Sequence, residues 1–103
     1  MFPIPILVIG RNEAILSTVV KLINANREWS AIGAQSDTDA IALIHTNTFS
    51  LVLFTNGIDA ASEDLLRSHI LGVSPDTAIV QHYGGGSGLL SNEIMYALHL
   101  KNP

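Results

Sequence analysis

The chain has no cysteine, which removes a disulfide framework, a thiolate nucleophile and a zinc-thiolate site together. Charge is scarce as well: only 14% of the 103 residues are charged. The five basic residues, Arg11, Lys21, Arg27, Arg67 and Lys101, are scattered and outnumbered by nine acidic ones, for a formal net charge of −4. Without a basic stripe, neither nucleic acid nor an anionic membrane is an expected partner. No apolar run approaches the roughly 20 residues needed to cross a bilayer. Ile6 to Ile9 is too short for a signal peptide and has no cationic segment before it. Linkers and low-complexity tracts are missing too. These absences lead to the expectation of one stand-alone cytoplasmic domain spanning residues 1–103.

What is present is apolar: 48% of the residues are hydrophobic, which suits a compact domain with a large interior and argues against disorder. The chain is organised around Phe49 to Thr55, a short run without alternation, closed by Asn56-Gly57. Such a run predicts a strand buried on both faces, as in a parallel sheet. Ile4 to Ile9 predicts another. Trp29 to Gln35, with small residues and partial alternation, predicts an edge strand, and Thr77 to Tyr83 a fourth strand. Between them lie helical patterns. Asn12 is the expected N-cap of the first, with Glu13 in its first turn and Ile15, Val19, Leu22 and Ile23 on its inner face. Ser36 or Asp37 caps the second, with Ala40, Ile41 and Ile44 inward. The third is expected to start at Ser62, to turn Leu65, Leu66, His69 and Ile70 inward and to stop at Gly72. Leu89 to Lys101 predicts a final helix with Leu90, Ile94, Ala97 and Leu98 inward. The β-α-β-α-β-α-β order predicts a three-layer α/β/α sandwich of flavodoxin-like shape, its parallel sheet ordered 2-1-3-4.

Three stretches carry a resemblance: Ile6-Leu7-Val8-Ile9 before a helix, Glu28 to Ala40, and Phe49 to Thr55. Together they resemble a response-regulator receiver domain over residues 4 to about 83. The resemblance implies a receiver-like scaffold with its fifth strand missing. It also implies where phosphotransfer chemistry would sit. The acidic pair that holds Mg²⁺ after the first strand falls on Gly10 and Arg11, which offer no oxygen-donor side chain. The phosphoacceptor aspartate falls on Thr55, whose hydroxyl cannot form an acyl phosphate. The switch hydroxyl falls on Tyr83, and the lysine of the fifth strand has no counterpart. The resemblance therefore implies a receiver-like module without phosphorylation, metal or cofactor, acting in signalling on a protein partner that the sequence does not name.

Other residues suggest sites of their own. Gly84, Gly85, Gly86, Ser87 and Gly88 lead from a strand into a helix, where backbone N–H groups can meet an anion. They match no phosphate-loop or dinucleotide fingerprint, and the simpler reading is a turn that carries the chain across the sheet top. Arg11 beside Thr55 could join them on a phosphate or carboxylate, or be a solvated loop arginine. His82 is placed for general-base work, or is a hydrogen-bonded structural histidine, since no catalytic constellation accompanies it. The fourth strand carries no lysine or proline to protect an edge, and the last helix is apolar on more than one face. Ala78, Val80, His82, Leu89, Met95 and Tyr96 are thus the expected interface of a homodimer, unless the last helix covers that edge within one chain. Two functions follow: a non-enzymatic interaction module, and, as the alternative, a small anion- or nucleotide-binding or catalytic domain of flavodoxin-like shape built on Arg11, His82 and the Gly84 to Gly88 loop.

Overall fold

A computed structural model describes residues 3–55, 57–82 and 87–101. The elements run β1 (Ile4–Ile9), α1 (Glu13–Asn24), β2 (Trp29–Ala34), α2 (Asp37–Thr46), β3 (Leu51–Phe54), α3 (Ala60–Val73), β4 (Ala78–Gln81) and α4 (Ser87–Lys101). All strand pairs are parallel, and the order is β2-β1-β3-β4. This is a flavodoxin-like α/β fold, and the four strands and their order are those the apolar runs predict.

The two central strands explain why no alternation marks them. Ile6 and Val8 of β1, with Leu51 and Leu53 of β3, face a core completed by Leu16, Val19 and Ile23 of α1 and Leu90 and Ile94 of α4. Leu7, Ile9, Val52 and Phe54 face the opposite core, with Ala40 and Ile44 of α2 and Leu66 and Ile70 of α3. A strand with a helical layer on each side has no solvent face, so every position is apolar.

The placement of α4 is informative. Right-handed crossovers put α2 and α3 on one face as the chain steps from β2 to β3 to β4. A further helix continuing that progression would lie on the α3 face. Instead α4 lies beside α1, on the other face. The chain therefore changes sides of the sheet between β4 and α4, across residues 83–86, which lie outside the described residues.

Several local expectations are corrected. The buried stripe of α1 is Leu16, Val19 and Ile23, while Ile15 and Leu22 are 47% and 40% exposed. The apolar arc of this helix is wider than the stripe that packs, with Ile15 and Leu22 at its margin, so the arc alone does not say which of its residues are covered. The packing partner does: β2 approaches so closely that a Cβ at Gly33 would stand 3.2 Å from Leu16 and Val20 side-chain carbons. The third helix starts two residues earlier than expected. Its cap is Asp59, whose carboxylate accepts the Ser62 N–H at 2.7 Å; both residue types cap well, and the earlier one prevails. Leu65 is exposed, and His69 is half-buried. Gly72 is not a left-handed stop, because the helix runs to Val73 and ends before Pro75. The last helix begins at Ser87 rather than Leu89.

Candidate functional site

The carboxyl ends of β1, β2 and β3 bring together the loops that follow them, and there the ligand crevice of an open α/β sheet is expected. Thr55, directly after β3, is buried; its N–H and its hydroxyl both donate to the Ile9 carbonyl, at 2.9 and 3.2 Å. Gly10 follows β1 and has no room for a side chain: a Cβ there would lie 2.2 Å from Thr55 Oγ1. Thr55 and Gly10 are thus fitted to each other.

Arg11 follows Gly10 and is half-buried. Its Nη1 donates to the Gln35 carbonyl at 2.9 Å, and the Gln35 amide returns a bond to the Arg11 carbonyl at 2.9 Å. Its Nη2 is ion-paired with Asp37 Oδ1. The other carboxylate oxygen of Asp37 accepts from Ser62 Oγ at 2.8 Å. The guanidinium beside Asp37, and secondarily the Ser62 hydroxyl, hold its carboxyl below the usual carboxylate range. Gly57, with φ 94°, turns the β3-α3 loop over Arg11; a Cβ there would sit 3.7 Å from Arg11 Cβ. One charge-neutral network therefore ties the loops after β1 and β2 to the start of α3.

A hard divalent cation takes several oxygen ligands, usually carboxylates. The residues after β1 and β3 are Gly10, Arg11 and Thr55, which bring a cation and a hydroxyl but no carboxylate. The residues do not fit Mg²⁺. Among the described residues, no group of three or more His, Asp or Glu side chains is placed to hold a metal ion.

The ladder between β3 and β4 ends with Phe54 beside Gln81, and the His82 N–H donates to the Phe54 carbonyl at 2.8 Å. His82 is thus level with Thr55 on the neighbouring strand; Tyr83, expected above at the switch position, lies outside the described residues. The imidazole is buried and its Nδ1 lies 2.6 Å from Glu93 Oε1 on α4. Through Nδ1 it joins strand to helix. Of the expected anion loop, Gly84, Gly85 and Gly86 lie outside the described residues, and Ser87 and Gly88 form the first turn of α4. Of the expected interface, Leu89, Met95 and Tyr96 are 53%, 58% and 66% exposed. Ala78 and Val80 are half-buried against the α1–α4 core, and His82 is buried.

Sequence reasoning missed Asp37, Gln35, Ser62 and Glu93. The first three had a usable signal. The predicted order 2-1-3 places the loops after β2, β1 and β3 side by side, so Arg11 was bound to meet whatever acid opened α2.

No family model matches the sequence, and no curated protein does. Solved structures do. The chain is similar to a CheY-like response regulator receiver domain protein from Methanospirillum hungatei, with a TM-score of 0.81 and 16% identity, covering 97% of both chains. It is similar to the signal receiver domain of an HD domain-containing protein from Pseudomonas fluorescens, with a TM-score of 0.79, 15% identity and coverage of 97% and 98%. A response regulator receiver domain protein from Clostridium thermocellum gives a TM-score of 0.78 at 17% identity, covering 95% of this chain and 96% of that one. The fold is that of response-regulator receiver domains. No described helix is long and apolar enough to cross a membrane.

Proposed function

We infer that this chain is a receiver-like signalling module that does not take up phosphate and works through protein contacts, not as an enzyme. The observation that carries this reading is the Arg11–Asp37–Ser62 network, together with Gly10 and Thr55 at the ends of β1 and β3. The network ties the carboxylate of Asp37 into an ion pair with Arg11, and no acid stands at Gly10, Arg11 or Thr55 to accept a phosphoryl group or hold its metal. The same network weighs against the anion-binding alternative, since the Arg11 charge is already matched by Asp37. Shortening of the scaffold is internal on this reading. The change of side between β4 and α4 supports it, as the place where a strand-helix unit would be left out.

The test is incubation with a small phosphodonor and Mg²⁺, followed by intact-mass measurement. The unmodified mass is expected throughout. A stoichiometric phosphoryl adduct that is labile to hydroxylamine, as an acyl phosphate is, overturns the reading.

The contact surface on this reading is β4 with the outer face of α4, and its occupant is a second copy. The backbone N–H of Ala78 and His82 point to β3, so those of Ile79 and Gln81 point outward, with no partner among the described residues. The outer face of α4 exposes Leu89, Met95 and Tyr96, and a two-fold axis would pair the β4 edge with itself.

A further inference from the structure

The other sheet edge, β2, carries the same hazard and no charge or proline along Trp29–Ala34 to blunt it. Its inner groups are accounted for: Ile4 N–H donates to Glu28 O at 2.7 Å and Gly10 N–H to Ala34 O at 3.1 Å. By the two-residue period of the ladder, Glu28, Ser30, Ile32 and Ala34 face β1. Trp29, Ala31 and Gly33 then direct their N–H and C=O away from the sheet. The Trp29 N–H turns back to the Asn26 carbonyl at 3.1 Å. Ala31 is met by a side chain: its N–H donates to Asn24 Oδ1 at 2.7 Å, and Asn24 Nδ2 donates to its carbonyl at 3.1 Å.

A carboxamide is a donor and an acceptor held side by side, the same pair a neighbouring strand presents. Asn24, the last residue of α1, therefore occupies the central outward position of β2 as one rung of a strand would. Beside the Trp29 carbonyl, only the outward groups of Gly33 are met by no described residue, and a single outward donor is too little to seed a ladder. We propose that Asn24 is an edge-closing residue: it blocks strand addition at β2, so that strand-to-strand association of this chain is confined to β4.

The proposal does not depend on whether the crevice takes phosphate, nor on whether the wild type is a dimer, because the wild-type mass is the reference. Asn24→Ala removes both bonds, while the β1–β2 ladder keeps its own. Two readings are expected together. The Ala31 amide, followed by NMR-detected hydrogen exchange, should exchange about tenfold faster, the loss expected for one net hydrogen bond. The solution mass by light scattering should rise above that of the wild type with concentration. Adding Ala31→Pro to Asn24→Ala removes the outward N–H at a position that gives no bond to β1, as edge prolines do, and should return the mass to the wild-type value. If Asn24→Ala stays folded and its mass follows the wild type at every concentration, the proposal is overturned, even where its Tm has fallen. If its mass rises but Ala31→Pro does not reverse the rise, association runs elsewhere and the proposal is equally overturned.

Discussion

At the scale of single residues, the crevice shows how a few exchanges change what a site can do. Asp37 is held ionised by Arg11 and Ser62, so its folded-state pKa lies below its unfolded one. Between those two values the unfolded chain binds more protons, and stability rises with pH. The contribution of Asp37 is therefore complete above about pH 4, the ordinary carboxylate range, and fades as pH falls through the lower folded value. Asp37→Asn should lower stability at pH 7 by about 1 kcal/mol, a modest figure because the pair is partly solvated. The deficit should shrink as the wild type is acidified below about pH 4, which urea melts of both proteins at pH 7 and pH 3 will read. A deficit independent of pH would mean that the carboxylate charge contributes nothing. Gly10 and Thr55 make a second residue-level case. Gly10→Ala places a Cβ 2.2 Å from Thr55 Oγ1, and overpacking of this kind costs about 1–3 kcal/mol. Thr55→Ala in the same chain removes that oxygen and leaves the residue-55 Cβ at 3.4 Å, so the double variant should recover most of the loss. Additive losses in a double-mutant cycle would show that the two residues are not in register.

At the scale of elements, the central strands were legible because burial on both faces leaves continuous apolar runs, and their order followed from short connections and one crossover hand. The caps Asn12 and Ser36 were legible because each is a good capping residue standing just before a helical pattern. What was not legible turned on choices between equals. Asp59 and Ser62 are both fit to cap α3, and α1 has apolar residues on either side of its true inner stripe. The Arg11–Asp37 pair required topology first and side chains second. The grip of Asn24 on Ala31 depends on where α1 ends relative to β2, which no local pattern states. The attachment of α4 belongs here too. Leu90 and Ile94 are buried, and Glu93 meets the buried His82. Glu93→Ala strands the Nδ1 of His82 away from water and should cost about 1–3 kcal/mol, whereas Glu93→Gln keeps an acceptor and should cost less. Chemical denaturation of both variants checks the order. Equal small losses would mean that α4 is held by Leu90 and Ile94 without this bond.

At the scale of the whole molecule, the two sheet edges are not equivalent, and the difference bears on assembly. β2 is met by Asn24 and Asn26, while on β4 the outward groups of Ile79 and Gln81 have no partner among the described residues. A copy approaching β4 meets no charged residue on the strand itself, but the chains carry −4 each and repel at long range. Association through β4 is therefore expected to strengthen with salt, as screening shortens that repulsion to about 8 Å at physiological ionic strength. It should also raise Tm with protein concentration, since a partner that binds only the folded chain stabilises it by mass action. Ile79→Pro tests the surface without disturbing the β3–β4 ladder, because the N–H it removes points outward. The expected outcome is a wild-type dimer by light scattering and a monomeric Ile79→Pro variant that retains the wild-type circular dichroism. A wild type that stays monomeric at high concentration in both low and high salt removes the homodimer. The exposed residues of α4 would then stand as a surface for a different protein.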